Sequence, residues 1–525
     1  MIGLAPLPGG WSVLEQRRRA RRSWSFMYAA VLALGLVVAA FAWKRSFQPY
    51  IGVASAALVV TMVAFMVRPR LGVGMMVFFA LVSDAVTVSW FPFNKNLSSR
   101  ESILFVSDQL TVSPLELVLL FGVVACGLRG LAETGRPFAK GPLLRPLLAF
   151  TFFVVVGFVN GISSGGDVRA AVFEVRPLLY LPLVYLLVTS VATEARHYRQ
   201  LMWTAMAAVL VQSLLSLRYL ETLSPADREG LEGLNEHGSS IAMGALLILL
   251  LATLTYRKCS VAARLGLTAT AIPVLWVFLV SQRRAAVVAL AAAIVLLIIS
   301  LLWRQRRTLW KIAPITAILT IGYLGAFWNS TSSIGFPAQA IKGVVAPDQL
   351  SAADQSSDLY RIIETYDLNY TIRSSPVLGL GFGQPFLRPV ALPDISKFEF
   401  NAYMPHNSFL WIWIKTGFAG FVTMLYLIGR TIMLGVDRLR RLGDGIDVAM
   451  TLTAVLYVVM YTIFTYVDIA WDSRNMVLLG LAMGLCSLRV PPQPARRAAL
   501  RDDDVVADTE VGDAPAIAED VLTPA

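Results

Sequence analysis

The stretch that decides the fold is residues 285–302, which read AAVVALAAAIVLLIISLL without a single charge. The hydrocarbon core of a bilayer is about 30 Å thick, and a helix crosses it with roughly 20 apolar residues. Segments of this kind recur from Met27 to Leu488, and 56% of the 525 residues are hydrophobic. The runs are continuous rather than alternating, which argues against a membrane β-barrel. The sequence therefore predicts an all-α, polytopic transmembrane helical bundle.

Fourteen spans are predicted from the apolar runs. They lie at 27–43, 50–67, 71–83, 112–128, 143–159, 177–192, 201–217, 239–255, 265–280, 285–302, 312–328, 407–429, 447–466 and 475–488. The third and the last are short, so a total of twelve or thirteen stays open. The first span follows a cluster of arginines and is interpreted as a retained anchor rather than a cleaved signal peptide.

The distribution of basic residues predicts the orientation of the chain. With the N-terminus inside, the inner segments carry 28 Lys and Arg residues, and the outer segments other than the long loop carry 11. Because short cytoplasmic loops are enriched in these residues, both termini are predicted to be cytoplasmic. The net charge of +11 is thus mainly a topology signal, and its dispersal over short loops argues against a nucleic-acid partner.

Changes in hydrophobicity divide the chain into five segments. They are a basic cytoplasmic N-terminus at 1–26, transmembrane helices at 27–328, a large extracytoplasmic loop at 329–405, transmembrane helices at 406–488, and a disordered acidic cytoplasmic tail at 489–525. The three cysteines fall in or beside spans on the predicted inner side, so neither a disulfide framework nor a metal cluster is expected.

The long loop is expected to contain short helices. Its residues Leu359, Ile362, Ile363, Tyr366 and Tyr370 recur at helical spacing. This pattern predicts an amphipathic helix on the outer membrane surface, with its N-cap at 356–358 and Arg361 on its flank near Glu364 or Thr365.

Charged residues at the predicted outer ends of spans are the first candidates for a site, because charges near a membrane are costly. Arg283 and Arg284 lie between two spans with almost no loop. They are interpreted either as a clamp for a lipid diphosphate, since guanidinium binds phosphate in a bidentate manner, or as residues that snorkel to headgroups. Arg176, which precedes Pro177 at the start of a span, is a second phosphate contact or a partner of Glu174.

Two of the three histidines lie at predicted outer ends of spans. His406 follows Pro405 and opens a span, and it is interpreted either as a structural histidine or as a proton acceptor, since a helix N-terminus disfavours the charged imidazole. His237 is interpreted as a helix entry with Ser239 or Ser240 capping. His197, on the inner side, is interpreted as a surface residue.

Two further features carry alternative interpretations. The alternating glycines around Gly381 permit close backbone approach to a ligand or form a flexible re-entry turn. Lys415, which lies inside a span, belongs either to a buried ion pair or to the site.

Several of these elements resemble the O-antigen ligase/polymerase family of bacterial envelope proteins. The resemblance rests on Arg361, on 376–383 (PVLGLGFG), on 405–410 (PHNSFL) and on the glycines at 417–420. The segment 281–285 (SQRRA) resembles the Ser-Arg-Gly element of the family, with Ala285 where glycine is common. The resemblance covers about residues 235–430.

The resemblance implies a metal-independent, inverting glycosyltransferase without a cofactor in the bacterial inner membrane. Its donor would be an undecaprenyl-diphosphate-linked oligosaccharide, its acceptor a glycan or lipid A–core, and membrane lipids and a chain-length regulator would be further partners. His406, Arg284 and Arg361 are then expected to be catalytic. The expected substrate-binding residues are Arg283, Arg176, Gly381, Asn407 and Lys415.

Three functions remain open at this point. The extra spans and the inner tail favour polymerisation of O-antigen or exopolysaccharide repeat units, and a ligase acting on lipid A–core or protein is the alternative. A polysaccharide transporter or flippase is less favoured, because the sequence contains no internal repeat and its polar residues crowd one face.

Overall fold

The computed structural model describes residues 49–489, except 85, 88–92, 94, 101, 103, 108–110, 225–232, 257, 331 and 394–399. Within these ranges the chain forms fifteen α-helices and no strand. They are α1 (Pro49–Val67), α2 (Pro69–Val82), α3 (Pro114–Thr134), α4 (Leu144–Ser163), α5 (Val168–Val191), α6 (Ala195–Thr222), α7 (Ser239–Thr255), α8 (Val261–Val280), α9 (Arg284–Arg304), α10 (Arg306–Phe327), α11 (Phe336–Val345), α12 (Ala352–Ser374), α13 (Ser408–Arg441), α14 (Ile446–Val467) and α15 (Ser473–Ser487). The prediction of an all-α polytopic fold is confirmed.

Thirteen of the fourteen predicted spans fall on these helices, whereas the first span and the acidic tail from 490 onward lie outside the described residues. Eight helices are long and apolar enough to cross a membrane: α3, α4, α5, α6, α8, α9, α13 and α14. Shorter apolar segments occur in α1, α2, α7 and α10. The protein is therefore a multi-pass membrane protein.

Helix α14 forms the centre of the bundle. It packs against α7, α9, α13 and α15, and 83% of its most apolar window is buried within the protein. Helix α15 in turn packs along α5, and α13 packs along α4. This arrangement brings the first turns of α5, α7, α9, α13 and α15 to one end of the bundle, where the connecting segments meet.

Helix α5 begins nine residues before the span predicted from hydrophobicity. Asp167 caps it by accepting a hydrogen bond from the backbone N–H of Ala170 at 3.0 Å. Pro177 therefore lies inside the helix instead of opening it. Arg176 lies about two turns after the helix start. The prediction that Pro177 starts the span was wrong because polar residues in the first turns of α5 lower its hydropathy without ending the helix.

Helix α12 also begins earlier than predicted. Its N-cap is Ser351, whose hydroxyl accepts a hydrogen bond from the backbone N–H of Asp354 at 3.2 Å, so the expected cap at 356–358 was wrong. The helix turns its polar side inward, and Glu364 is buried there. The apolar residues Leu359, Ile362, Tyr366 and Tyr370 remain exposed. This inverted pattern is expected for a helix whose apolar face contacts lipid rather than water.

The glycine-rich segment 379–383 packs between helices α4, α5 and α13. Gly381 has a φ of +89°, which favours glycine, and any side chain there would collide with the backbone of Gly161 in α4. Leu380 donates its backbone N–H to the Ile414 carbonyl of α13 at 2.7 Å. The close approach that the glycines permit is therefore to neighbouring helices, and Gly381 supports the architecture rather than lining the cavity described below.

Candidate active site

A cavity of about 1650 Å³ lies at the end of the bundle where the first turns of α5, α7, α9 and α15 meet. Five of the eight residues predicted for the site line it: Arg176, Arg283, Arg284, Arg361 and His406. Helix α12 closes one side through Tyr360, Arg361 and Glu364. The fold thus brings together side chains that are separated by up to 230 positions in the chain.

His406 is held in place by the segment that leads into α13. Asn407 caps this helix by accepting a hydrogen bond from the backbone N–H of Leu410 at 3.1 Å, which fixes the backbone beside the histidine. Asn407 is buried in this structural role and does not belong to the cavity wall. The ring of Tyr360 meets the His406 ring edge-on, with centroids 5.6 Å apart.

Glu364 of α12 is the main partner of His406. Its carboxylate accepts the backbone N–H of His406 at 3.0 Å, and its other oxygen lies 3.1 Å from the ring Nδ1. Burial alone would lower the pKa of His406, but the hydrogen bond and charge of Glu364, together with the charge of Asp468, raise this pKa above its ordinary value. The carboxylate therefore makes the imidazole a stronger base, an effect opposite to that expected from the helix N-terminus alone.

Arg284 is the first residue of α9 and reaches across the cavity to α12. Its guanidinium contacts both carboxylate oxygens of Asp358, at 2.9 and 3.2 Å, and lies 3.6 Å from Asp354. Arg361 lies 3.6 Å from the same Asp358. A cation at a helix N-terminus is unfavourable, so the two aspartates offset that cost and hold the guanidinium in one orientation.

Arg283 lies in the turn that connects α8 and α9. Gln282 adopts a left-handed backbone with φ of +50°, which makes the connection short. Arg283 approaches the carbonyl of Asn235 at 3.5 Å, and the hydroxyl of Ser281 donates to the Asn235 side chain at 3.2 Å. The turn is thereby attached to the segment that precedes α7.

Arg176 pairs with a residue that the sequence did not indicate. Its Nε and one Nη each lie 2.6 Å from the Glu116 carboxylate, and the same Nη donates to Asn96 at 3.0 Å. Of the two interpretations of Arg176, the pairing with Glu174 was wrong. Glu174 instead forms an ion pair with Lys415 at 2.8 Å. Both side chains are buried between α5 and α13.

Lys415 lies away from the cavity. It is fully buried, and Glu174 also accepts hydrogen bonds from the indole of Trp411 at 3.1 Å and from the backbone of Gly383 at 2.7 Å. Of the two interpretations of Lys415, the structure therefore supports the buried ion pair. The pair attaches the glycine-rich segment to α5 and to α13, the helix that His406 precedes.

Positive and negative charges are balanced around the cavity. Its wall contains six basic residues, Lys95, Arg176, Arg283, Arg284, Arg361 and Arg474, and six acidic residues, Glu116, Glu236, Asp354, Glu364, Asp468 and Asp472. Within the described ranges, no group of three or more His, Cys, Asp or Glu residues has a geometry that could hold a metal ion. The arrangement is suited to bind an anion through guanidinium groups that carboxylates already orient.

A buried network behind the cavity was not anticipated from the sequence. Asp84 accepts hydrogen bonds from Arg474 at 2.9 Å and from the hydroxyl of Ser239 at 2.8 Å. Burial alone would raise the pKa of Asp84, but Arg474 and these hydrogen bonds hold it below its ordinary value. Ser239 therefore serves this network, and the expected capping of α7 by Ser239 or Ser240 was wrong, because Gly238 occupies the N-cap.

The comparison with known families identifies a region that contains four of the five predicted residues that line the cavity. Residues 269–425 match the family model described as O-antigen ligase. This segment is similar to the O-antigen ligase domain. The domain runs from α8 to α13 and includes Arg283, Arg284, Arg361 and His406, whereas Arg176 lies outside it. No curated protein matches the chain.

The O-antigen ligase domain agrees with the resemblance noted in the sequence. It indicates a membrane glycosyltransferase of the O-antigen ligase or polymerase type, with a lipid-linked glycan as donor and a glycan as acceptor in general. The matched region supplies Arg283, Arg284, Arg361 and His406 to the cavity, so the cavity is the candidate active site.

Proposed function

We propose that the protein transfers a glycan from undecaprenyl diphosphate to an acceptor hydroxyl at the outer face of the bacterial inner membrane. The observation that carries this proposal is the convergence of His406 with Arg283, Arg284 and Arg361 in one cavity. A proton acceptor and a group of guanidiniums are the two elements that such a transfer requires.

The chemistry is a single displacement that needs no metal. His406 takes the proton of the acceptor hydroxyl as the oxygen attacks the anomeric carbon. The bond between that carbon and the diphosphate oxygen breaks, and its electron pair stays on the diphosphate. Arg284, Arg361 and Arg283 stabilise the developing negative charge. One direct attack inverts the configuration at the sugar carbon.

The position of Arg284 and Arg361 supports their role as diphosphate ligands. Both guanidiniums contact the Asp358 carboxylate, which occupies the place of an anion between them. A diphosphate carries more negative charge than one carboxylate and offers more oxygens for bidentate contacts. The donor would therefore share or displace Asp358 when it binds.

A small apolar groove supports entry of the donor from the bilayer. It has a volume of about 240 Å³ between α4 and α5 and is lined by Val155, Phe158, Val172, Val175 and Leu179, with Arg176 at its edge. Arg176 also lines the polar cavity, so its side chain borders both spaces. The prenyl chain would lie in the groove while the diphosphate reaches the arginines.

Among the reactions of this type we propose polymerisation of O-antigen or exopolysaccharide repeat units, and ligation to lipid A–core is the alternative. The test uses purified protein, lipid-linked repeat units and a chelator, with His406→Ala as the inactive variant and Arg306→Gln, an exposed residue outside the cavity, as the control. A ladder of products that only His406→Ala abolishes supports a metal-independent polymerase. Transfer only after addition of lipid A–core would identify a ligase, and no transfer to either acceptor would reject the proposal.

A further inference from the structure

A second histidine lies on the wall of the same cavity. The Nδ1 of His237 is 2.7 Å from the Asp468 carboxylate, and both residues line the cavity. The His237 side chain is 41% exposed, whereas that of Asp468 is only 4% exposed. Because Nδ1 is occupied by Asp468, Nε2 is the ring nitrogen that remains to exchange a proton with a bound substrate.

The segment that carries His237 is fixed on both sides. Glu236, immediately before it, forms an ion pair with Arg474 of α15. Asn235 donates its side-chain amide to the hydroxyl of Ser216 at 2.7 Å. A side chain at the position of Gly238 would collide with Asn475, so the backbone packs closely against α15. His237 is therefore positioned by its neighbours on either side.

The carboxylate of Asp468 interacts electrostatically with both histidines of the cavity. It ends α14, where its carboxylate also accepts the backbone N–H of Ile469 at 2.8 Å. Burial alone would raise the pKa of Asp468, but His237 most of all, followed by His406 and Arg283, holds it far below its ordinary value. The carboxylate thus stays ionised near both rings, so the site contains two histidine–carboxylate pairs: His406 with Glu364, and His237 with Asp468.

We propose that His237, oriented by Asp468, is a second proton-transfer residue that acts on the departing diphosphate. This inference rests on the proposed glycosyl transfer. His406 accepts the proton of the attacking hydroxyl, and His237 donates its Nε2 proton to the diphosphate oxygen that receives the electron pair of the broken bond. One proton enters the protein and one leaves it, and exchange with water then restores both rings.

The assignment of the acid to His237 follows from its neighbours. The backbone carbonyl of Asn235, two positions before it, accepts from Arg283, so the segment of His237 contacts one of the arginines proposed to hold the diphosphate. His406 is attached to α12 through Glu364. The charged groups around His237 are its neighbour Glu236, Asp468 and Asp472 of the α14–α15 connection, Arg474 of α15, Arg283 of the α8–α9 turn, and His406.

The decisive variant is His237→Asn. The asparagine amide can still donate to Asp468 in place of Nδ1 but offers no group at the position of Nε2. We expect a loss of kcat on the order of 100-fold, typical of a removed general acid. We also expect the fall in activity at alkaline pH to disappear, while the fall at acidic pH, which reports His406, remains.

Two further variants complete the test, a second substitution of His237 and a control. His237→Gln is assayed in parallel, in case one substitution prevents folding, and each variant that folds must lose the alkaline fall. Arg218→Gln, an exposed residue outside the cavity, is the matched control. A kcat within a few-fold of wild type and an intact pH profile in His237→Asn would reject this inference and leave only a structural contact. Absence of transfer by the wild-type protein would instead reject the proposed function itself.

Discussion

Glu364 binds His406 at two points, through the backbone N–H at 3.0 Å and through the ring Nδ1 at 3.1 Å. The contact attaches a helix of the long loop to the entry of a transmembrane helix, and it leaves Nε2 as the reactive ring nitrogen. Leu368 and Ile372 of α12 pack against Ile414 of α13 and strengthen the same connection. The position and basicity of His406 therefore depend on the docking of α12.

Replacement of Glu364 by Gln is expected to change the pH dependence of transfer. His406 accepts a proton only when neutral, so wild-type activity falls as the pH decreases through its pKa, which the Glu364 hydrogen bond and charge raise. Without that charge the pKa of His406 falls and the acidic limb moves to lower pH. The maximal kcat decreases by about tenfold, because the imidazole becomes a weaker base. The measurement is kcat between pH 5 and 9, with Glu221→Gln, exposed and outside the cavity, as control. An unchanged acidic limb would contradict the assignment of His406 as the base.

Replacement of Arg284 by Lys is expected to weaken stabilisation of the leaving diphosphate. Lysine keeps the charge but lacks the planar fork that contacts two oxygens at once, and loss of one oxyanion ligand costs about 100-fold or more in rate. The measurement is kcat/KM for the lipid-linked donor, together with inhibition by undecaprenyl diphosphate. The matched control is Arg306→Lys at an exposed site. Equal inhibition of Arg284→Lys and wild type by the diphosphate would show that Arg284 does not bind it.

Replacement of Val155 by Trp is expected to fill the groove between α4 and α5. Val155 lines this groove, so the KM should rise for a donor with a full-length prenyl chain and stay nearly constant for a short-chain analogue. Val159→Trp serves as control, because Val159 is on the same helix and 59% exposed but does not line the groove. A similar rise in KM for both variants, or for both donors, would exclude the groove as the binding site of the lipid chain.

Replacement of Lys415 by Met is expected to destabilise the protein. Removing one partner of a buried ion pair leaves the other charge uncompensated, at a cost of about 3–5 kcal/mol, and the double variant with Glu174→Gln should recover part of that loss. The measurement is the unfolding temperature in detergent. Arg129→Gln, which breaks the exposed pair with Glu133, should cost less than about 1 kcal/mol. Normal stability with reduced donor binding in Lys415→Met would assign Lys415 to the site instead.

Local sequence patterns were sufficient to predict most of the helices and several cavity residues. Hydropathy located thirteen spans that fall on described helices, because a transmembrane helix is recognised from a continuous segment. Arg283, Arg284 and His406 could be selected because polar side chains at span ends are few. The starts of α5 and α12 were misplaced, since Asp167 and Ser351 cap helices whose first turns are polar.

Burial was harder to predict than secondary structure. His197 was expected at the surface, yet it is 3% exposed and accepts the backbone N–H of Glu194 at 3.3 Å within the first turn of α6. The exposed apolar residues of α12 are, in contrast, what an amphipathic helix on a membrane surface predicts. The burial of His197 depends on what packs against α6, which the residues of that helix alone do not determine.

The sequence by itself determined that this protein is a helical membrane bundle and that its unusual polar residues lie near one face. Both properties are local, since they follow from the hydrophobicity of consecutive residues and from side-chain chemistry. Only the tertiary structure decided which charges pair: Glu364 with His406 across 42 positions, Glu116 with Arg176 across 60, and Asp468 with His237 across 231. Such pairs depend on the packing of whole helices against one another, and that packing determines the proton affinity of each group.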